Sequence, residues 1–184
     1  YHKTIRLVVV GRDSGVQNDF AENIFSLCKS FDVMCLERNE FSGFDDASDY
    51  AIAVGWRWMV PASIEKLIVM HDSLLPKYRG FAPLVNCLIN GERIIGVSAI
   101  FGAKEYDRGN IIFQKSLSIE YPIKIQDAIV KISAIYAELV EKIIECLGKG
   151  DELLGVPQSE NLASYSLWRD NEDYFIDWHK SSEY

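Results

Sequence analysis

Three short aliphatic runs, each closed by a glycine or a polar residue, constrain this chain more than any other feature. Residues 5 to 10 (IRLVVV) end at Gly11, residues 50 to 54 (YAIAV) at Gly55, and residues 67 to 70 (LIVM) at His71. Continuous apolar runs of this length are the pattern of strands buried on both faces, as in parallel sheets. Helical spacings lie between them. Residues 16 to 30 carry Val16, Phe20, Ile24, Leu27 and Cys28 at three- and four-residue intervals, and Pro61 suits the first turn of a short helix through Leu67. Residues 32 to 36 add a further short strand, and Asp45-Asp46 marks a turn before Tyr50. The alternation predicts an α/β fold, a Rossmann-like, mainly parallel sheet flanked by helices. Ligands of such sheets bind outside the carboxyl ends of the strands, so Gly11, Gly55 and His71 belong on one edge.

After His71 the pattern changes. Residues 81 to 90 read as a helix stopped at Gly91. Residues 96 to 101 and 110 to 119 read as two strands joined by a long hairpin holding Asp107 and Gly109. Residues 123 to 147 form a long amphipathic helix, with Ile125, Ile129, Ile132, Tyr136, Leu139 and Ile143 on one stripe and Gly148 and Gly150 at its end. The expected organisation is a main domain over residues 1 to 150 and a short extension over 151 to 184. The extension starts as a loop, and its aromatic content predicts that it packs on the main body.

Composition narrows the class. The chain has 184 residues, 48% hydrophobic and 25% charged, enough for one domain with a core. No apolar run approaches the length of a bilayer span, and the start leads into a strand-like run with no secretory pattern, so a cytoplasmic location is expected. Cys28, Cys35, Cys87 and Cys146 are scattered, which argues against structural zinc and a disulfide framework and makes each a small apolar residue. The formal charge of −8 disfavours a nucleic-acid partner, because neutralising phosphates usually takes a basic face.

Few residues stand out as chemical candidates. His71 sits on the predicted ligand edge, which leaves it as either a functional imidazole or a hydrogen-bonded structural one. Asp107, in Glu105-Tyr-Asp-Arg-Gly-Asn, reads locally as an ordinary turn residue. The turn at Gly11-Arg-Asp-Ser-Gly has neither GxGxxG nor GxxxxGK[ST] spacing and supports no nucleotide site. Trp56-Arg57-Trp58 could wall a pocket for a flat ring or simply pack.

The run His71-Asp-Ser-Leu-Leu-Pro-Lys-Tyr-Arg-Gly-Phe-Ala-Pro, followed by Asn90-Gly-Glu, Gly96-Val-Ser and Asp107-Arg-Gly, resembles the folate-dependent formyltransferase family. The segment Asp173-Tyr-Phe-Ile-Asp-Trp also resembles a stretch that follows the catalytic domain in several members. The resemblance implies 10-formyltetrahydrofolate as formyl donor, an amine as acceptor and no metal. It assigns the catalytic roles to His71 and Asp107. Trp56, Arg57, Trp58 and Gly109 become candidates for the folate, and Arg12, Ser73, Lys77, Tyr78 and Arg79 for the acceptor, with Arg12, Lys77 and Arg79 toward a pyrophosphate. The family pattern is Asn-x-His, and here Val69 stands at the asparagine position. That amide would donate to the formyl oxygen, so either another group replaces it, with Asn86 and Ser73 as candidates, or the enzyme is slow, or the chain no longer transfers formyl groups.

Within the family, the run Lys77-Tyr-Arg-Gly-Phe-Ala-Pro is most similar to the sugar N-formyltransferases. The implied acceptor is a nucleotide-linked amino deoxysugar destined for a surface glycan such as lipopolysaccharide. The alternatives are an enzyme like glycinamide ribonucleotide transformylase, or a non-catalytic binder of folate or nucleotide-sugar suggested by Val69. The aromatic tail and the long helix offer a surface for a homodimer.

Overall fold

The computed structural model describes residues 2–15, 18–43, 50–60, 64–175 and 177–180. The turn expected at Asp45-Asp46, the start of the helix expected from Val16 and the start of that expected from Pro61 lie outside them.

The aliphatic runs form β1 (Leu7–Val10), β3 (Ala51–Val54) and β4 (Leu67–His71), with β2 (Met34–Glu37) after the helix α1 (Ala21–Ser30). β1 pairs in parallel with β2, and β3 pairs in parallel with β4. The expected hairpin is present as β6 (Ile94–Phe101) and β7 (Ile111–Ser118), and β6 lies antiparallel to β4. A four-stranded sheet results, ordered β3-β4-β6-β7. Between β4 and β6 come a two-residue strand, β5 (Arg79–Gly80), and the helix α2 (Pro83–Ile89). The chain is therefore a mixed α/β fold, parallel on its N-terminal side and closed by an antiparallel hairpin. The hairpin is permitted because β6 and β7 follow each other directly, whereas parallel neighbours need a crossover.

The long helix α3 (Ile125–Lys149) packs on β6 and β7. Its stop is a left-handed Gly150 (φ 77), with the Asp151 N–H returning to the Cys146 carbonyl, a closure that a residue without Cβ adopts freely. The buried stripe is Ala128, Ile132, Ile135, Leu139 and Ile143. This corrects the expected stripe, because Ile125 and Ile129 are 43% and 42% exposed. The helix leans on the sheet through the adjacent row, in which small Ala128 permits close approach. Likewise Phe20 and Leu27, expected to face inward, are exposed, and α1 buries Ala21 and Cys28. All four cysteines are free, two of them buried.

The core joins Ile68 and Met70 of β4, Ile95, Val97 and Ala99 of β6, and Leu84 and Cys87 of α2 to the α3 stripe. Because alternate strand residues face opposite sides, Val69 and His71 point away from α3. The segment after α3 returns to the body as β8 (Tyr165–Ser166), parallel to β5. Beyond it, Tyr174, Phe175 and Trp178 are exposed, so the second aromatic run lacks the packing that its composition suggested. No helix among the described residues is long and apolar enough to cross a membrane.

The corrected stripe has a direct check. Ile132→Ala should destabilise the fold by about 2–5 kcal/mol and Ile129→Ala by less than about 1 kcal/mol, because only the first removes a buried side chain. Urea midpoints of both variants measure the difference, and equal losses would restore the original stripe.

Candidate active site

His71 ends β4, opposite Ser98 of β6. The turn that follows is tied down from within. Ser73 Oγ donates to the Lys77 carbonyl at 2.6 Å, Ser98 Oγ donates to the Ser73 carbonyl at 2.6 Å, and the Leu75 N–H donates to Ser98 Oγ at 3.0 Å. The turn then doubles back through Tyr78 (φ 60), whose carbonyl accepts from His71 Nε2 at 2.7 Å. The ring is 7% exposed, and its Nδ1 faces Asp107 Oδ1 at 3.5 Å.

Asp107 arrives from the loop between β6 and β7. Gly109 makes that loop possible, since a Cβ there would meet the Phe101 carbonyl oxygen at 1.7 Å. Asp107 Oδ2 accepts the Gly80 N–H at 2.8 Å. His71 and Asp107, separated by a turn, a helix and two strands, thus form one pair. Both ring nitrogens face oxygen acceptors, Nε2 the Tyr78 carbonyl and Nδ1 the Asp107 carboxylate.

A cleft of about 560 Å³ opens beside Asp107 and Gly80. Phe81, Tyr106 and Trp168 wall it, with the Phe81 and Trp168 rings 5.1 Å apart and edge-on. Arg108 lines it as well, bonded to Glu105 and to the Tyr165 hydroxyl. Tyr106 is the chain neighbour of Asp107, whereas Trp168 carries no sequence signal, because its proximity to Asp107 depends on β8 docking along β5.

The other expected site residues divide into two groups. Arg12, Trp56, Arg57 and Trp58 gather around Gly11. The Arg12 guanidinium is paired with Glu22 and Glu37, both at 2.7 Å, and Arg57 with Asp13 at 2.8 Å. Arg38 and Arg57 lie over the Trp58 ring, and that ring fills the space where a Cβ on Gly11 would sit. Trp58 is therefore a packed plug. Trp56 differs, because its buried indole N–H meets no acceptor among the described residues. It follows β3, the parallel neighbour of β4, and so lies on the same edge as His71.

Several expectations for the acceptor contacts are corrected by burial. Arg79 is 1% exposed and fully bonded to Gln158 and Glu160, so it cannot reach a pyrophosphate. Ser73 is buried with its hydroxyl given to a carbonyl, and the Tyr78 hydroxyl turns away to Glu92. Lys77 is exposed. Neither substitute for the missing asparagine amide is available. Asn86 Nδ2 donates to the Ala82 carbonyl, its Oδ1 accepts from Arg169, and Ser73 is occupied. Val69 shares the face of His71, two residues before it on β4. No cluster of His, Cys, Asp or Glu among the described residues could hold a metal.

A profile described as formyl transferase matches residues 45–143, more than half of the chain, and this protein belongs to that family. It is 34% identical over 143 residues to methionyl-tRNA formyltransferase of Staphylococcus epidermidis, covering 74% of this chain and 45% of that protein. The chain thus spans about half the length of that relative. Among solved structures, the fold matches the formyltransferase PseJ of Anoxybacillus kamchatkensis, in complex with UDP-4,6-dideoxy-4-formamido-L-AltNAc and tetrahydrofolate. The TM-score is 0.66 at 18% identity, over 92% of this chain and 89% of that one. The N-formyltransferase of Helicobacter canadensis, seen with folinic acid and dTDP-3-aminofucose, matches with a TM-score of 0.66 at 18% identity, over 97% of this chain and 77% of that one.

Next to His71, Asp72 faces α3, where it accepts a hydrogen bond from the Tyr136 hydroxyl. Burial pushes its carboxyl up to about 6, and the charge of His71 opposes the rise. The unfolded carboxyl titrates near 4, so the folded chain holds the proton longer. Stability attributable to Asp72 should fall as pH rises from about 4 to about 6 and stay level above. Asp72→Asn should therefore gain on the wild type by about 1–2 kcal/mol between pH 4 and pH 7. Urea melts at both pH values test this, and a pH-independent difference would place the titration elsewhere.

Proposed function

We propose that this protein transfers a formyl group from 10-formyltetrahydrofolate to the amine of a nucleotide-linked amino sugar. The observation that carries the reading is the His71–Asp107 pair, whose carboxylate lines a cleft of about 560 Å³. The folate supplies the formyl carbon at an electrophilic oxidation level. When the acceptor nitrogen attacks that carbon, negative charge collects on its oxygen. In this reading His71 stabilises the charge, and Asp107 takes the proton that leaves the amine. The formyl carbon then parts from the folate nitrogen, which keeps the bonding electrons and takes up the proton released by the amine. At 3.5 Å the pair is looser than a made hydrogen bond, which is common where the bond tightens only around a reacting substrate. Trp56, whose N–H has no partner among the described residues, is the residue of the expected folate group that suits a heteroaromatic acceptor.

The cleft supports the sugar reading. Phe81, Tyr106 and Trp168 provide ring faces for a base, and Arg108 provides a cation at the same wall. The two sugar formyltransferases above resemble this chain along most of both lengths. A second reading has its own observation, the 34% identity to a methionyl-tRNA formyltransferase, although a chain of formal charge −8 attracts a polyanion weakly.

Incubating the protein with 10-formyltetrahydrofolate and a panel of nucleotide amino sugars, with methionyl-tRNA as the competing acceptor, should yield a formylated sugar by mass. His71→Ala and Asp107→Ala should each lower kcat by about 10²–10⁴. Folate binding without turnover on any acceptor would leave a non-catalytic binder as the better reading. Val69→Asn should raise kcat by about 10²–10³, the usual value of one oxyanion donor; an unchanged rate would mean that another group already donates. Trp168→Ala should raise KM for the nucleotide sugar at least about tenfold with KM for the folate steady, given what one aromatic stack contributes. Equal effects on both constants would place the acceptor outside this cleft.

A further inference from the structure

The loop carrying Asp107 is held in an unfavourable backbone. Asp107 has φ 56, a left-handed conformation that residues with a Cβ keep only when their surroundings enforce it. Among the described residues its carboxylate has one backbone donor, Gly80, and that bond does not itself hold the main-chain carbonyls of the loop.

The main-chain hold comes from a residue 51 positions later. Gln158 Nε2 donates to the carbonyls of Asp107 at 2.7 Å and Gly109 at 2.8 Å. Gln158 Oε1 accepts from Arg79 Nε at 3.0 Å and from Nη2 at 2.8 Å. Arg79 is buried, and its other edge is bonded by Glu160, with Nη1 to Oε2 and Nη2 to Oε1 both at 2.9 Å. Both protons and both lone pairs of the Gln158 amide are therefore used. The reversed amide would set its oxygen against two carbonyls and its protons against a guanidinium, so only one orientation works. Arg79 also lies between the two backbone groups that hold the pair. Tyr78 before it accepts from His71 Nε2, and Gly80 after it donates to Asp107 Oδ2. One side chain thus ties the Asp107 loop to the segment that orients His71.

We infer that Gln158 is a positioning residue: it fixes Asp107 against His71 by clamping the carbonyls of Asp107 and Gly109 to buried Arg79. Its effect on rate rests on the formyl-transfer reading, whereas its effect on the His71 ring rests on geometry alone. A displacement of about 1 Å at such a pair costs up to about 10²-fold in rate.

The test uses the full chain with Gln158→Ala and Gln158→Glu. The glutamate keeps an acceptor for Arg79 but turns a carboxylate toward two carbonyls, so it preserves the ion network while breaking the clamp. The chain has three histidines, and His71→Ala assigns the His71 ring signal in a proton–carbon NMR titration. Gln158→Ala should displace the His71 ring signal as Asp107→Asn does, because a carboxylate moves away from the ring; Gln158→Glu brings a carboxylate of its own and is read through kcat. Both variants should lower kcat about tenfold or more while KM for 10-formyltetrahydrofolate stays within about twofold. Ile143→Val, a core change remote from the pair, should lower the melting temperature and leave the titration in place. If Gln158→Ala does not fold, Gln158→Glu carries the comparison through kcat. A His71 titration in Gln158→Ala coinciding with wild type, or a shift matched by Ile143→Val, overturns the inference. Lack of turnover in the wild type would defeat the formyl-transfer reading, and the ring titration would still decide the positioning role.

Discussion

The antiparallel register of β4 on β6 sets His71 opposite Ser98, and most of the site depends on that pairing. Ser98 is fully buried, and its hydroxyl accepts from Leu75 and Gln114 while donating to Ser73. A single side chain thereby holds the turn after β4 against the sheet. The turn in turn presents the Tyr78 carbonyl to one nitrogen of His71 and the Gly80 N–H to Asp107. A slip of one residue would send His71 to the α3 face, so the register carries chemistry as well as packing.

The tail is the second support. β8 adds to β5, and its Ser166 and the preceding Ser164 bond the same short segment. Ser164 accepts the Tyr78 N–H at 3.0 Å and the Arg79 N–H at 2.9 Å. Gly80 is required there, since a Cβ would meet the Ser166 carbonyl at 2.6 Å. The close approach also forms the aromatic cleft, because Trp168 follows β8 directly. A chain segment far from His71 in sequence therefore shapes both the His71–Asp107 pair and the space beside it.

The arginines show how an acidic chain organises its few strong cations. Arg12, Arg57, Arg79 and Arg108 all meet carboxylates. For the exposed pairs the energetic value is small, and their effect is geometric. Arg79 is the exception, because burial leaves its guanidinium dependent on Gln158 and Glu160 and makes both partners necessary. That constraint turned a residue with the look of a phosphate ligand into an internal brace.

The α/β class, the hairpin and the long helix were legible in the sequence because they follow from local periodicity, which a strand or helix expresses over its own residues. The pairing of His71 with Asp107 was legible only through the longer motif, since Asp107 alone reads as a turn residue. The face of α3 that is buried, the fate of Ser73, Tyr78 and Arg79, and the roles of Gln158, Tyr106 and Trp168 were decided by tertiary structure. Each depends on which distant backbone groups come within hydrogen-bonding range, and spacing along the chain carries no record of that. Val69 spans the two cases: the sequence shows the amide missing, and only the packed structure shows that its nearest polar substitutes, Asn86 and Ser73, are already bonded elsewhere.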